Sequence, residues 1–465
     1  MMAAILICGA TTFTACSSDD ADGKLTVQGK TLQKATAEQQ TLVNQLYADW
    51  SGGNSGTEGE VAYIERSWDG EKVVDKEVTT KAQWLNEIQV EGGQEKALSG
   101  TWYVTGQHKI QGFLKVEQGK TLDIILCDYC ELSLPSIRVE GGTFRLFGQS
   151  QELGMLLVGN IPEYFELSQG AAIGAHQVNG GTIEIHSGNI IAFGGACGAG
   201  VGGYMYRTIG SVKIYGGSHW IQGGKGAAGI GAPPYALVQE GKIEIFGGVL
   251  SAVGGMQHKL KKLGGGAGIG GGAVLPVESI IIYGGDITAT AYHYAAGIGT
   301  GQFYDTGGST VRPSADQLDL LKISVIIKGG KVVAQGGLTG AGIGGGRYMT
   351  VGKIEISGGE VYAYGINGAG IGSGCDGKGQ EVTISGGYVE AHGNNVRPDN
   401  PDYYSASAGI GNGVKTIAWD PNHGSWFNVP VSNNPVAFIQ ERRGTQLETC
   451  DHPGYTAETC IYCKH

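Results

Sequence analysis

The residues best suited to hold a metal ion lie at the end of the sequence, in CDHPGYTAETCIYCKH. Cys450 and His452 are one residue apart, and Cys460, Cys463 and His465 form a second close group. Thiolates and imidazoles at such spacings bind zinc in a tetrahedral site. The set therefore predicts a structural zinc site made from the three cysteines and one histidine. In an oxidising compartment, a disulfide among these cysteines is the alternative.

Acidic and basic side chains that could act on a polysaccharide are scattered along the chain. Glycoside hydrolysis requires two carboxylates, one on each side of the scissile bond. No tight cluster of carboxylates stands out in the sequence. An enzyme hypothesis, either a hydrolase or a lyase with calcium as cofactor, therefore depends on residues that the fold would have to bring together: Asp305, Asp376, Asp399, Asp402, His293 and Arg397.

Aromatic residues recur in short alternating segments such as EVYAYG, where every second side chain points outward from a strand. Strands of adjacent repeats lie about 4.8 Å apart, a spacing similar to that of the rings in a linear glycan. Aromatic faces can stack on sugar rings, so an outward row predicts a glycan-binding face. The alternative is that the row packs under another segment. The row contains Phe193, Trp220, Tyr362, Tyr364 and His392.

A second group of aromatic residues lies in insertions beside glycine-rich motifs. Such insertions commonly carry function on a regular scaffold. We expect them to crowd one edge and to form the wall of a polysaccharide-binding cleft, and solvated decoration is the alternative. The candidates after the motifs are Tyr204, Tyr206, Tyr235, Tyr304 and Tyr348, and those before a motif are Tyr292 and Tyr294.

The element that must position these residues is a repeat. The chain has 465 residues, of which 85 are glycine, and the motif A-G-I-G or a close variant recurs eight times. The basic unit is about 28 residues, which is typical of a solenoid, and three units are lengthened by insertions. The recurring apolar positions are Ile173, Val201, Ile230, Ile269, Ile298, Ile343, Ile371 and Ile410.

Each unit contains two alternating strands besides the glycine-rich motif. The alternation places pairs such as Ile354/Ile356 and Val361/Ala363 on one inward side. We therefore predict an all-β fold, a parallel β-helix with three strands per coil, right-handed by the crossover rule. On the outside of the first strand, Tyr215, Phe246 and Tyr283 follow one another on consecutive coils and should stack to stabilise the sheet.

Three features together resemble a family of gut-bacterial surface proteins. These are the start Trp102-Tyr103-Val104, the strand with Leu122, Ile124 and Leu126, and the eight glycine-flanked cores. The resemblance implies a carbohydrate-associated module with pectin-lyase-like β-helix architecture, and it implies little about activity.

The opening residues, MMAAILICGATTFTACSSDD, resemble a bacterial lipoprotein signal. Cys16 would be the lipidated residue and the membrane anchor. The acidic Ser17-Ser18-Asp19-Asp20 resembles the export signal of surface lipoproteins of Bacteroidota, which implies a location at the outer membrane or cell surface. The formal net charge of -11 argues against a nucleic-acid-binding surface, which requires clustered lysine and arginine.

The domain organisation follows from these segments. Residues 1–15 are interpreted as the signal peptide, 16–60 as a tether with one helix, and 61–100 as a cap or adaptor with a hairpin at Trp68-Asp69-Gly70. Residues 101–420 form the β-helix, and 421–465 form the Cys/His-rich end. Polysaccharide binding is the leading functional hypothesis, with a polysaccharide-degrading enzyme and an adhesive or structural spacer as alternatives.

Overall fold

A computed structural model describes most of the repeat region and divides the chain into two compact units, Met1–Gly56 and Thr57–His465. In the first unit, the described backbone is limited to the antiparallel strands Thr26–Val27 and Lys30–Thr31. In the second unit, backbone alone is described for Lys415–Asp420, Ser425–Val429 and Phe438–Gln440. Side chains are described for residues 58–159, 170–234, 241–256, 264–273, 277–302, 323–349, 351–377, 381–393 and 407–411.

The second unit is a parallel β-helix in which each coil contributes one strand to each of three sheets. Sheet 1 begins with the antiparallel strands Glu58–Trp68 and Val73–Trp84. Its further described strands are Gly100–Val104, Thr121–Leu126, Thr143–Gly148, Thr182–Ile185, Ser211–Ile214, Lys242–Ile245, Ser279–Ile282, Ser324–Ile327, Lys353–Ile356, Glu381–Ile384 and Phe438–Gln440.

Sheets 2 and 3 form the other two sides of each coil. The described strands of sheet 2 are Gln107–Lys109, Glu131–Leu134, Met155–Gly159, Asn189–Phe193, Ser218–Gln222, Val249–Val253, Asp286–Thr290, Lys331–Gln335, Glu360–Tyr364 and Tyr388–His392. Those of sheet 3 are Glu95–Ala97, Phe113–Val116, Ile137–Val139, Ile173–Gly174, Val201–Gly202, Ile230–Gly231, Ile269–Gly270, Ile298–Gly299, Ile343–Gly344, Ile371–Gly372 and Ile410–Gly411. Leu85–Glu87 is a 3-10 turn, and among the described residues no helix is long and apolar enough to cross a membrane.

Consecutive coils pair in constant register, so equivalent side chains form ladders along the axis. On sheet 1, Ile183 pairs with Val212 and Val212 pairs with Ile243, and all three are buried. The inward ladders expected from alternation are confirmed, although Val389 near the last described coil is only partly buried. The core is one continuous cluster that runs along the lumen of the β-helix.

In the glycine-rich coils, from Ile173–Gly174 onward, the third side is a tight loop with a strand of only two residues. The alanine amide that begins the motif donates to the carbonyl four residues later, as in Ala296 to Thr300 at 3.0 Å and Ala341 to Gly345 at 2.9 Å. The glycine after each core isoleucine has a positive φ, which is +137° at Gly299. At this position the backbone carbonyl of the equivalent glycine in the next coil lies very close. A Cβ built on Gly299 would lie 2.0 Å from the carbonyl oxygen of Gly344. Glycine is therefore obligatory at this position.

The hairpin expected at Trp68-Asp69-Gly70 is present, and it lies on the outside of the β-helix. Three carbonyls of its first strand accept hydrogen bonds from side chains of the body, and Arg66 pairs with Asp75 and Glu152. The three bonds are Gln149 Nε2 to Ala62 O at 3.1 Å, Ser187 Oγ to Ile64 O at 2.7 Å, and His186 Nδ1 to Arg66 O at 2.6 Å.

The aromatic row on sheet 1 stacks as predicted, and the hairpin covers it. The ring centroids of Tyr215 and Phe246 are 4.8 Å apart, and those of Phe246 and Tyr283 are 4.7 Å apart, with interplanar angles of 5° and 10°. Trp68 at the hairpin tip packs on Phe246 and Tyr283, at 5.3 and 5.0 Å. This row is therefore a docking surface for the hairpin.

One inward position carries a histidine that sequence reasoning missed. His219 occupies the register position that holds Ile190 and Leu250 on the adjacent coils, and it is 4% exposed. Its Nε2 lies 2.7 Å from the carbonyl oxygen of Gly216. Burial disfavours the charged imidazolium and lowers the pKa of His219 to about 4.

We predict that Gly299→Ala destabilises the protein more than Gly119→Ala does. Both glycines have positive φ, but a Cβ at Gly119 would meet no atom within 4 Å. The control variant Gly119→Ala should therefore lose about 1 kcal/mol of stability from backbone strain alone. In Gly299→Ala, the clash of the new Cβ should add about 1–3 kcal/mol to that loss. Urea unfolding midpoints measure the difference, and equal shifts for the two variants would contradict the close approach of the coils.

We predict that His219→Leu removes part of the acid sensitivity of the fold. Between pH 6.5 and 4 the unfolded chain binds a proton at this histidine that the folded protein does not, so stability falls as the pH falls through that window. The lowered pKa of His219 corresponds to a loss of about 3 kcal/mol at most in the free energy of unfolding across that pH window. Leucine fits the ladder, as Leu250 shows.

Urea midpoints at pH 7 and pH 4.5 test this prediction. Between pH 7 and pH 4.5, the free energy of unfolding of the wild type should fall by about 2–3 kcal/mol more than that of the variant. His108, whose pKa burial also lowers, is present in both proteins and cancels in the comparison. The same acid sensitivity in both would show that His219 is not the responsible group.

Candidate functional site

The outer face of sheet 2 presents three columns of side chains, because each five-residue strand has three outward positions. The expected outward orientation of Phe193, Trp220, Tyr362, Tyr364 and His392 agrees with their exposure, which alternates with buried neighbours along each strand. Constant register then aligns equivalent positions of successive coils.

An aromatic cluster lies on the strands Glu360–Tyr364 and Tyr388–His392. The rings of Tyr362 and Tyr388 are 5.7 Å apart, and the ring of Tyr364 stacks on His392 at 5.2 Å with an interplanar angle of 5°. Tyr388 was not a candidate from the sequence. Its outward position could have been read from the alternation of Tyr388, Glu390 and His392 around the inward Val389 and Ala391. We call these five residues, Tyr362, Tyr364, Tyr388, Glu390 and His392, the tyrosine platform.

Glu390 organises the polar atoms of the tyrosine platform. The hydroxyl of Tyr388 donates to its Oε2 at 3.0 Å, and Nε2 of His392 lies 2.6 Å from its Oε1. The hydrogen bond from His392, followed by that from Tyr388, lowers the pKa of Glu390. The hydrogen bond to Glu390 raises the pKa of Tyr388 in turn. The result is an ionised carboxylate held between two aromatic side chains.

The tyrosine platform is open within the part of the chain that the structure describes. Tyr388 is 50% exposed and Tyr364 is 38% exposed, in contrast to Phe246 under the hairpin, which is 8% exposed. The two outward aromatic rows predicted from sequence thus differ: the row on sheet 1 is covered, and this part of the row on sheet 2 is accessible.

A second aromatic group lies further toward the N-terminal end of sheet 2. Phe193 and Trp220 meet edge to face at 4.8 Å, and both are partly buried. Four strand spacings, about 19 Å, separate the strand of Trp220 from that of Tyr362. The outward positions between them hold no aromatic side chain: Val249, Ser251, Val253, Asp286, Thr288, Thr290, Lys331, Val333 and Gln335.

Described residues from two of the insertions, one before and one after a core motif, meet at one edge of the β-helix. The tight loop of each coil brings them together, and the amide of Arg347 donates to the carbonyl of Tyr294 at 2.7 Å. The guanidinium of Arg347 lies 3.7 Å from Asp376 and 4.7 Å from the ring centroid of Tyr348. Asp376 is buried. The described part of this edge is thus built from packed side chains and interloop hydrogen bonds.

The catalytic candidates in this part of the chain are separated along the axis. The backbone amide of Cys375, next to Asp376, donates a hydrogen bond to the carbonyl of Thr339. The backbone amide of Thr339 donates in turn to the carbonyl of His293. His293 therefore lies two coils, about 10 Å, from the backbone beside Asp376. The other catalytic candidates, Asp305, Asp399, Asp402 and Arg397, lie outside the described residues.

The remaining aromatic candidates of the edge occupy different environments. Tyr204 stacks on His176 at 4.7 Å and is partly buried, as is Tyr292, whereas Tyr206 is 45% exposed. Tyr235 and Tyr304 lie outside the described residues. Tyr294 and Tyr348 are brought together, because the guanidinium of Arg347 lies 5.8 Å from the ring centroid of Tyr294 and 4.7 Å from that of Tyr348.

The described cysteines are thiols enclosed in the core. Cys127, Cys130, Cys197 and Cys375 are buried thiols that form no disulfide bond among the described residues. Burial raises the pKa of Cys127 to about 12 and that of Cys130 well above its ordinary value, so both remain protonated. Among the residues with described side chains, no three His, Cys, Asp or Glu form a metal-binding group. The zinc candidates Cys450, His452, Cys460, Cys463 and His465, and the lipidation candidate Cys16, lie outside them.

Five segments of the chain match the beta helix repeat family: 243–273, 280–302, 325–347, 354–375 and 382–414. The match supports the parallel β-helix predicted from the glycine-rich repeat. The last two beta helix repeat segments contain the tyrosine platform. Comparison with curated proteins gave no significant match, and comparison with solved structures gave none either.

We predict that hydroxyl-radical footprinting modifies Tyr364 and Tyr388 readily. Oxidation follows side-chain exposure, so their rates should approach that of Tyr206 and exceed several-fold that of Tyr103, which is 1% exposed. Mass spectrometry of proteolytic fragments gives the rates. Rates for Tyr364 and Tyr388 as low as that of Tyr103 would show that another segment covers the tyrosine platform.

Proposed function

We propose that the chain is a cell-surface lipoprotein that binds an extracellular or host polysaccharide along the outer face of sheet 2. The observation that carries this proposal is the tyrosine platform, with Tyr364 and Tyr388 exposed on adjacent coils. A soluble protein rarely exposes clustered aromatic side chains without a binding role.

The chemistry of the tyrosine platform suits sugar rings. Tyrosine combines an apolar face that can stack on the C–H side of a pyranose with a polar tip that remains hydrated. The carboxylate of Glu390 can accept hydrogen bonds from hydroxyl groups at its remaining lone pairs. A ligand that crosses adjacent coils would meet a new strand at intervals of about 4.8 Å, which is similar to the spacing of rings in an extended glycan.

The two aromatic groups of sheet 2 favour a ligand that lies along the axis. Phe193 and Trp220 form one group, the tyrosine platform forms the other, and the outward side chains between them are not aromatic. A chain that contacts both groups would cover the strands from Asn189–Phe193 to Tyr388–His392, six spacings or about 29 Å. This length corresponds to several sugar residues.

The location is proposed from the N-terminal sequence. The apolar run before Thr14-Ala15-Cys16 and the acidic residues after it support lipidation at Cys16 and display outside the cell. The lipid would be the membrane contact.

A polysaccharide hydrolase or lyase on the same scaffold is the second candidate, and the pair of Arg347 and buried Asp376 is the observation in its favour. The pair lacks a second carboxylate across a groove in the described residues, which a hydrolase requires. Polysaccharide binding without turnover has more support, because binding requires only accessible aromatic faces and hydrogen-bonding groups, and the tyrosine platform has both. A spacer would leave the exposed tyrosines unexplained.

We predict that Tyr364→Ala and Tyr388→Ala each weaken polysaccharide binding by about 2- to 10-fold, the range that one aromatic contact provides. The mature protein is run by native affinity electrophoresis through a panel of host and plant polysaccharides, and the glycan is sized afterwards. Tyr206→Ala, which removes an exposed tyrosine from another edge, is the matched control.

We expect the wild type and Tyr206→Ala to be retarded equally and the two platform variants to be retarded less. The glycan should keep its original length. A shortened glycan would replace the binding proposal with the enzyme. Equal retardation of all variants would move the site away from the tyrosine platform.

A further inference from the structure

The charges on the outer face of sheet 2 are predominantly negative toward its C-terminal end. In the first outward column, Asp286 is paired in register with Lys331, and Lys331 with Glu360. The one described lysine of this region is thus flanked by two carboxylates. The next coil adds Glu390, so the four residues together carry a net charge of about -2 at neutral pH.

Glu390 lies among the rings that would contact a ligand. Its two oxygens are fixed by Tyr388 and His392, and each oxygen retains capacity to accept another hydrogen bond. A sugar hydroxyl can donate to these oxygens. A uronate carboxylate or a sulfate ester has no hydrogen to donate and carries the same sign of charge, so its approach to Glu390 is unfavourable.

Positive charge that could offset this repulsion is sparse among the described residues of the last two coils of sheet 2. The outward positions of the strands Glu360–Tyr364 and Tyr388–His392 hold two glutamates, three tyrosines and one histidine. The histidine, His392, is already directed at Glu390. The face therefore offers aromatic contact and hydrogen-bond acceptors but no exposed lysine or arginine within these two strands.

We infer that the tyrosine platform selects neutral glycans and rejects uronate-rich and sulfated ones. The inference depends on the proposed function, and it narrows the ligand to polysaccharides whose rings present hydroxyl groups and no acidic substituents. Repulsion by exposed carboxylates should be strongest at low ionic strength and should weaken as salt screens it.

The test uses pairs of polymers that share a backbone and differ in charge. Polygalacturonate is compared with its methyl ester, and carboxymethylcellulose is compared with hydroxyethylcellulose, by affinity electrophoresis at low and high salt. The neutral member of at least one pair should retard the protein more strongly than the acidic member, and the difference should shrink at high salt.

Glu390→Gln is the decisive variant, because it preserves the shape of the side chain and one acceptor oxygen, replaces the other oxygen by an NH2 donor, and removes the charge. It should improve retention by the acidic polymer by about threefold at low salt, the effect of one screened charge at contact distance. Glu278→Gln makes the same change in net charge at an exposed residue outside sheet 2. It should leave the ratio of retention by the acidic polymer to retention by the neutral polymer unchanged.

Three results would overturn the inference. Equal or stronger retention by the acidic polymers contradicts charge selection and leaves polysaccharide binding intact. An equal response to Glu390→Gln and Glu278→Gln shows that net charge, and not Glu390, causes the discrimination. Absence of retention by any polymer, in the wild type and in both variants, removes the proposed function together with the inference.

Discussion

The structure depends on the close approach of successive coils along sheet 3. At the glycine that follows each core isoleucine, a Cβ atom would lie 1.7–2.1 Å from the glycine carbonyl of the next coil, from Gly174 to Gly372. The φ angles there, +127° to +153°, are ones that other residues rarely adopt. This constraint explains why glycine recurs at this position of each coil, and it makes the third side of the coil the part of the repeat with the least freedom to vary.

Variation is consequently concentrated on the outer faces of sheets 1 and 2 and in the insertions. The two faces use aromatic side chains differently. On sheet 1, stacked rings form the surface on which the N-terminal hairpin docks through Trp68 and through the hydrogen bonds to its carbonyls. On sheet 2, the tyrosine platform remains accessible, and its carboxylate is ionised and fixed. The contrast separates an aromatic row with a structural role from one that is available to a ligand.

The sequence was sufficient to predict the architecture because repetition and alternation are local signals. The positions of the core isoleucines, the inward ladders and the stack of Tyr215, Phe246 and Tyr283 all follow from them. The placement of the hairpin did not, since it depends on hydrogen bonds between residues more than 80 positions apart, such as Gln149 and Ala62. His219 was missed because a histidine breaks the apolar ladder that alternation searches for. The pairing of Arg347 with Asp376 also required the three-dimensional structure, because the two residues lie on adjacent coils and 29 positions apart in the sequence.

The central claim, that an open face of this β-helix holds a polysaccharide, is tested most directly by locating a bound oligosaccharide. We would crystallise the β-helix unit with a neutral oligosaccharide of six or more rings drawn from the polymer that retards it most. The account predicts density along sheet 2, with rings stacked on Tyr364 or Tyr388 and a hydroxyl group within hydrogen-bond distance of Glu390. Density confined to the loops beside sheet 3, around Arg347 and Asp376, would contradict the account and would direct attention to catalysis at that edge.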